Sequence, residues 1–106
     1  MRIGDLRHRI TIEEKNYTSD GLGGQVEAWQ EVLSCWANIK PVRMTEAYLA
    51  QQVGAEISHR VTIRYYPEIK AGMRVIYGDR IFNIVGVIDE EERKRFLTLT
   101  CKEMTP

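Results

Sequence analysis

Two short stretches decide how this chain folds: His8-Arg9-Ile10-Thr11-Ile12 and His59-Arg60-Val61-Thr62-Ile63. In each, a histidine and two aliphatic residues occupy every second position. Side chains of a β-strand alternate between its two faces, so each stretch reads as a strand with one buried side. Five shared residues are too few for a duplicated domain, and similar demands on two half-buried strands explain the echo. Each histidine falls in phase with the aliphatics, which places it at a barrel rim as a structural group.

Working outward, the alternation of the second stretch extends from Ile57 to Tyr65, with Ile57, His59, Val61, Ile63 and Tyr65 facing inward. Between the two stretches lie Asn16 to Gly24, a turn-rich segment with Asn16, Ser19, Asp20, Gly21, Leu22, Gly23 and Gly24. It reads as a loop longer than most hairpin connections, and long loops on small domains often carry contacts. Val26 to Ile39 carries Trp29, Val32, Leu33, Cys35, Trp36 and Ile39 and reads as a long strand bent around Leu33-Ser34, closed by Pro41. From Thr45 to Val53 good helix formers predominate, with Thr45 as N-cap, Met44 packing on Leu49, and Gly54 ending the helix. So short a helix must pack on the sheet to be stable.

Met73, Val75 and Tyr77 alternate next, and Gly78-Asp79 predicts a tight hairpin. Arg80 to Ile88 is apolar on both faces and reads as a central strand. Asp89 to Arg95 turns the chain, Phe96 to Glu103 forms the last strand, and Met104-Thr105-Pro106 is a frayed tail. The fold class is therefore mainly β: a small antiparallel β-barrel of about six strands with one short inserted α-helix.

The 106 residues form one domain, 1–106, and 43% are hydrophobic, enough for a core. Lys and Arg number 15, and Asp and Glu also number 15. That balance excludes binding driven by a large positive excess. It also leaves little repulsion against self-association. No apolar run approaches the roughly 18 to 20 residues of a membrane span, and Met1 to Arg7 lacks a signal-peptide segment, so the expected compartment is a reducing cytoplasm.

Chemistry finds little support. Cys35 and Cys101 lack the close spacing of zinc ligands and read as small buried hydrophobes. No nucleophile elbow, P-loop, zinc-protease helix or dinucleotide fingerprint occurs. Asp20-Gly21-Leu22-Gly23-Gly24 leads into Gln25-Val26-Glu27 rather than a phosphate-binding helix. The carboxylates Asp89-Glu90-Glu91-Glu92 run straight into Arg93-Lys94-Arg95, as at a solvated turn. The expectation is a non-enzyme with no cofactor and no metal.

Leu6 to Ile12, Asp20 to Gly24 with Trp29, and Cys35-Trp36-Ala37-Asn38-Ile39-Lys40-Pro41 together resemble the phage head-tail joining (head-closure, or stopper) proteins of tailed bacteriophages and prophages. The resemblance continues through His59 to Tyr65, Met73-Arg74-Val75, Phe82-Asn83-Ile84, Ile88-Asp89-Glu90 and the closing strand, covering nearly the whole chain. It implies a structural virion protein made in the host cytoplasm. In that family, subunits form a homo-oligomeric ring below the portal and adaptor, close the DNA-filled head and offer the tail its docking surface. Genomic DNA passes through the ring without sequence-specific binding, and no membrane is involved. By the same resemblance, Asn16 to Gly24 is the candidate channel or neighbour-contact loop, and the helix a candidate for the barrel flank or a subunit boundary.

A ring built from one repeated contact needs two unlike, complementary patches on each subunit. Residues 20 to 31 carry Asp20, Glu27 and Glu31 without a cation. Residues 60 to 74 carry Arg60, Arg64, Lys70 and Arg74 against Glu68 alone. These are the candidate interface charges, although ordinary solvated strand faces account for them equally well. The competing function is a small OB-like nucleic-acid-binding barrel using Arg60, Arg64, Tyr65, Tyr66 and Arg74 as a cation-aromatic platform.

Overall fold

The computed structural model describes residues 3–52, 54, 56–89 and 92–104. After a 3-10 turn at Ile3–Asp5 come strands β1 (His8–Ser19) and β2 (Gln25–Pro41), helix α1 (Met44–Gln52), and strands β3 (His59–Arg64), β4 (Arg74–Tyr77), β5 (Arg80–Asp89) and β6 (Phe96–Met104). The six strands close into an antiparallel barrel in the order β1-β2-β3-β6-β5-β4, as the alternation predicts.

Its interior is filled from the expected phases. Ile10 and Ile12, Val61 and Ile63, Val75, Phe82 and Ile84, and Leu97, Leu99 and Cys101 all point inward and are buried. The link from β3 to β4 crosses one end of the barrel and seals it with Ile69 and Met73. Both histidines sit at the edge of this core, as expected. His8 meets Tyr77 edge-on at 5.2 Å and His59 meets Phe82 edge-on at 5.1 Å. Tyr77 pairs with Arg80, so Gly78-Asp79 is the two-residue hairpin turn.

Five expectations need correction. First, the segment Asn16 to Gly24 is not all loop. Strand β1 continues through Asn16 to Ser19, and only Asp20 to Gly24 turn. Hydrophobic alternation fades there because both faces of this ribbon are largely exposed, so no core marks the strand.

Second, α1 starts at Met44, which puts Thr45 inside it. The Arg43 carbonyl accepts the Ala47 N–H at 3.1 Å, so Arg43 stands at the cap. No helix residue is buried, with Met44 90% and Leu49 61% exposed, so the helix meets the sheet through the Glu46–Arg60 ion pair rather than through a buried apolar face. Val53 lies outside the described residues.

Third, β5 is not apolar-buried on both faces: Val85 and Ile88 are exposed. Register shifts between Ile84 and Gly86, where a bulge leaves Val85 unpaired and brings Val87 back onto the core. The bulge fits closely against β6, since a Cβ on Gly86 would lie 2.9 Å from Thr100 Oγ1.

Fourth, Met104 is no frayed residue but pairs with Ile81. Thr105, Pro106, Glu90 and Glu91 lie outside the described residues. Fifth, Cys35 is only half-buried, unlike Cys101.

Candidate functional site

The site begins where β1 and β2 leave the barrel. Strand β1 is held by β4 only over Thr11–Glu13, and β2 by β3 only over Ala37–Pro41. A second bulge, with Ile12 opposite Leu33 and Glu13 opposite Glu31, falls at that point of departure, close to the bend expected at Leu33-Ser34. Beyond it the two strands pair only with each other. Glu14 to Ser19 add six rungs at about 3.4 Å per residue, a two-stranded arm reaching about 20 Å past the barrel. The long dimension of the molecule, 48 Å against 31 and 27 Å, fits that arm.

An isolated two-stranded ribbon is marginal in water, so the arm needs its own stiffening. One face supplies a ladder rooted in the barrel. Arg74 on β4 pairs with Glu13 at 2.7 Å and lies 4.0 Å from the centre of the Trp29 ring. Lys15 follows above the same ring at 5.9 Å, above Tyr17 at 5.7 Å, and pairs with Glu27 at 3.2 Å. The hydrogen bond to Glu27 raises the pKa of Lys15. On the other face, Asn16 Nδ2 donates to Gln30 Oε1 at 2.7 Å.

The tip is built by Asp20. Its Oδ1 accepts the N–H groups of Leu22 at 2.7 Å and Gly24 at 3.0 Å, and Ser19 Oγ accepts that of Gly21 at 3.2 Å. Gly21 and Gly23 take φ of +80° and +87°, a region costly for any residue with a Cβ. This rigid turn leaves the Leu22 side chain 91% exposed.

The candidate charges do not form one acidic and one basic edge. Glu27 is neutralised by Lys15, Arg60 by Glu46 at 3.1 Å, and Arg74 by Glu13. Glu31 accepts from Ser34 Oγ at 3.3 Å, and Lys70 is exposed on the β3–β4 link. Arg74 stands on β4, across the barrel from Arg60 and Arg64 on β3, and Tyr65 and Tyr66 pack against the core. The cation-aromatic platform of the OB-like alternative is therefore not assembled.

Arg64 has other company. Together with Arg9, Trp36, Leu6, Ser34 and Cys35 it lines a cleft of about 320 Å³. Arg9 opposes Trp36 on the outer face, its guanidinium 5.6 Å from the ring centre. The row Arg9, Trp36, Arg64 thus crosses three strands. Trp36 is 53% exposed, out of the core where its apolar neighbours suggest it belongs. Burial raises the Cys35 thiol pKa, against an opposing pull from the Arg9 charge. Arg64 also borders a second cleft with Tyr65, Lys94, Arg95 and Phe96. The sequence signal for this cluster is the outward phase of Arg9 and Trp36, set by the buried Ile10 and Ala37 beside them. Among the described residues, no group of three His, Cys, Asp or Glu side chains converges as a metal site would require.

The sequence matches the phage head completion protein family over residues 1–104. The chain belongs to that family. Head completion protein gp16 of Bacillus phage SPP1 is 31% identical over 77 residues, which cover 73% of this chain and 71% of gp16. The solution structure of protein SF1141 from Shigella flexneri 2a superposes with a TM-score of 0.78 at 32% identity, over 97% of this chain and 96% of that one. A chain from the virion of a native gene transfer agent particle shares the fold, with a TM-score of 0.66 at 21% identity, over 95% of this chain and 97% of its own. The resemblance to head-tail joining proteins drawn from the sequence agrees with these matches.

Proposed function

We propose that this head completion protein is a structural component of the phage head that assembles as a homo-oligomeric ring below the portal and adaptor. There it closes the DNA-filled head and offers the surface on which the tail docks. The observation that carries this reading is the projecting arm on a chain of this family. Barrel closure removes free sheet edges from the body. The arm of β1 and β2, by contrast, leaves the body with a stiffened root and an exposed tip, so it contacts whatever lies beyond the subunit. The segment Asn16 to Gly24 contributes the outer part of that arm. DNA passes without sequence-specific binding, in keeping with a net charge of zero.

The test is deletion of the encoding gene from its phage. Filled heads should then lose DNA and fail to accept tails, and adding the purified protein should restore both. Infectious particles in normal yield from the deletion would refute the proposal.

A further inference from the structure

The arm and the barrel carry opposite charge. Glu14, Asp20 and Glu27 stand on the arm, residues 14–30, against the single cation Lys15, a net of −2 that leaves +2 on the rest of the neutral chain. Among the described residues no ion pair holds Arg9, Arg64, Lys94 or Arg95, and these four cations gather at the two clefts that share Arg64. The first cleft offers apolar surface as well, from Leu6 and the face of Trp36. At the arm's end stand the complementary features, an almost fully exposed Leu22 beside the Asp20 carboxylate.

An arm cannot fill the cleft of its own molecule. Arg9 and Trp36 lie on the same two strands, only a few residues below the arm's root, and a paired ribbon stiffened along its length does not fold back on itself. We infer that the arm tip of one subunit, led by Leu22 and Asp20, seats in the Arg9–Trp36–Arg64 cleft of a second copy of this chain. This rests on the ring reading above and specifies its contact. The two patches are unlike, so each subunit donates a tip and accepts one. Repetition of such a contact closes a ring or extends a filament, depending on the angle per step. Leu22 brings apolar area to Trp36 and Leu6. The carboxylates set register and hasten encounter more than they tighten binding.

The native Cys35 in the cleft makes the contact testable, because Cys101 is fully buried and does not compete. In filled heads completed with the L22C variant, a short bismaleimide should join the introduced thiol to Cys35 of the next copy. A ladder of covalent multimers is expected, with the cross-linked peptide identified by mass spectrometry, and L22C/C35A should give none. Arg64→Glu should lower the ladder yield at least about tenfold, since a like-charge contact costs several kcal/mol. Its far-UV circular dichroism should match that of the wild type.

Rings visible by negative stain with no linkage between positions 22 and 35 would overturn the inference and leave the ring standing. Linkage of the tip to a portal or tail protein would overturn it too, by assigning the tip another partner. So would rings that persist in R64E while binding to a duplex DNA probe is lost, because the cleft would then serve DNA. Absence of any ring on the completed heads would remove the ring reading and this contact together.

Discussion

The pair that roots the arm is also the last rung of the barrel's closing seam, and its removal has a calculable cost. Strands β1 and β4 meet over three pairs only, the last being Glu13 with Arg74. A charge-assisted hydrogen bond contributes about 1.5–3 kcal/mol when shielded and an exposed ion pair about 0–1. With each side chain 22% exposed, this pair falls between, at about 1–2 kcal/mol. Stacking of the guanidinium on Trp29 adds about 0.5–1 kcal/mol. Arg74→Met keeps the aliphatic stem and removes both, so it should destabilise by about 2 kcal/mol. With a urea slope of about 1–3 kcal/mol/M, the denaturation midpoint should fall by about 1 M. The ion pair is isolated by a double-mutant cycle with Glu13→Gln, where about 1–2 kcal/mol of coupling is expected. Coupling within about 0.3 kcal/mol of zero would refute the ladder as a support of the seam.

Three further outcomes follow from the core and its rim. Phe82→Ala should cost about 3–5 kcal/mol, measured by urea denaturation, because Phe82 is the largest fully buried side chain; a loss under about 1 kcal/mol would mean that the interior collapses around the gap. Iodoacetamide at pH 8 should alkylate Cys35 long before Cys101. Burial pushes the Cys101 thiol up to about 12, which leaves about one thiolate in ten thousand at that pH, and comparable rates would show an opened barrel. Burial also depresses His59, outweighing the attraction of Glu103, so the unfolded chain takes up a proton first as pH falls. The stability this histidine contributes is present above its unfolded value of about 6.5 and drains away below it. Melting temperatures should therefore drop between pH 7.5 and 5.5, less so in His59→Asn, and equal slopes would assign the drop to other groups.

The barrel was legible because each of its strands has one buried face. Ile10 and Ile12, or Val61 and Ile63, announce their phase without help from distant residues. Legibility ended where that cause ended. On the arm, Tyr17, Val26 and Trp29 are not buried in a core, so Asn16 to Ser19 looked like loop although they are strand. In β5, Ile81 to Ile88 looked uniformly apolar because one-letter periodicity does not register a bulge, and the unpaired Val85 shifts the phase by one. Helix α1 was found from propensity alone, yet its lack of a buried face depends on where the chain sends it. The partners of the charges stayed hidden for a different reason. Glu27, Arg60 and Arg74 are neutralised by residues 12, 14 and 61 positions away; the first and third partnerships arise from strand order and the second from where helix α1 lies against β3.

That last point changes what a net charge of zero means for this chain. Counting along the sequence suggested an acidic stretch before the helix and a basic one after it. In the folded molecule, two of those four cations are already paired, and the separation runs instead between a projecting arm and the body that carries it. An arm at −2 and a body at +2 attract each other, but stiffness holds the tip away from its own cleft. The attraction is therefore left for another molecule to satisfy. In the tip-to-cleft contact proposed above, a single subunit stays neutral, while subunits in the right order gain a contact at each step. Local concentration decides when this happens: chains held side by side on a common platform meet tip to cleft far more often than free chains do. A neutral sequence with divided charge thus suits a protein that should assemble only after a platform of earlier components is in place.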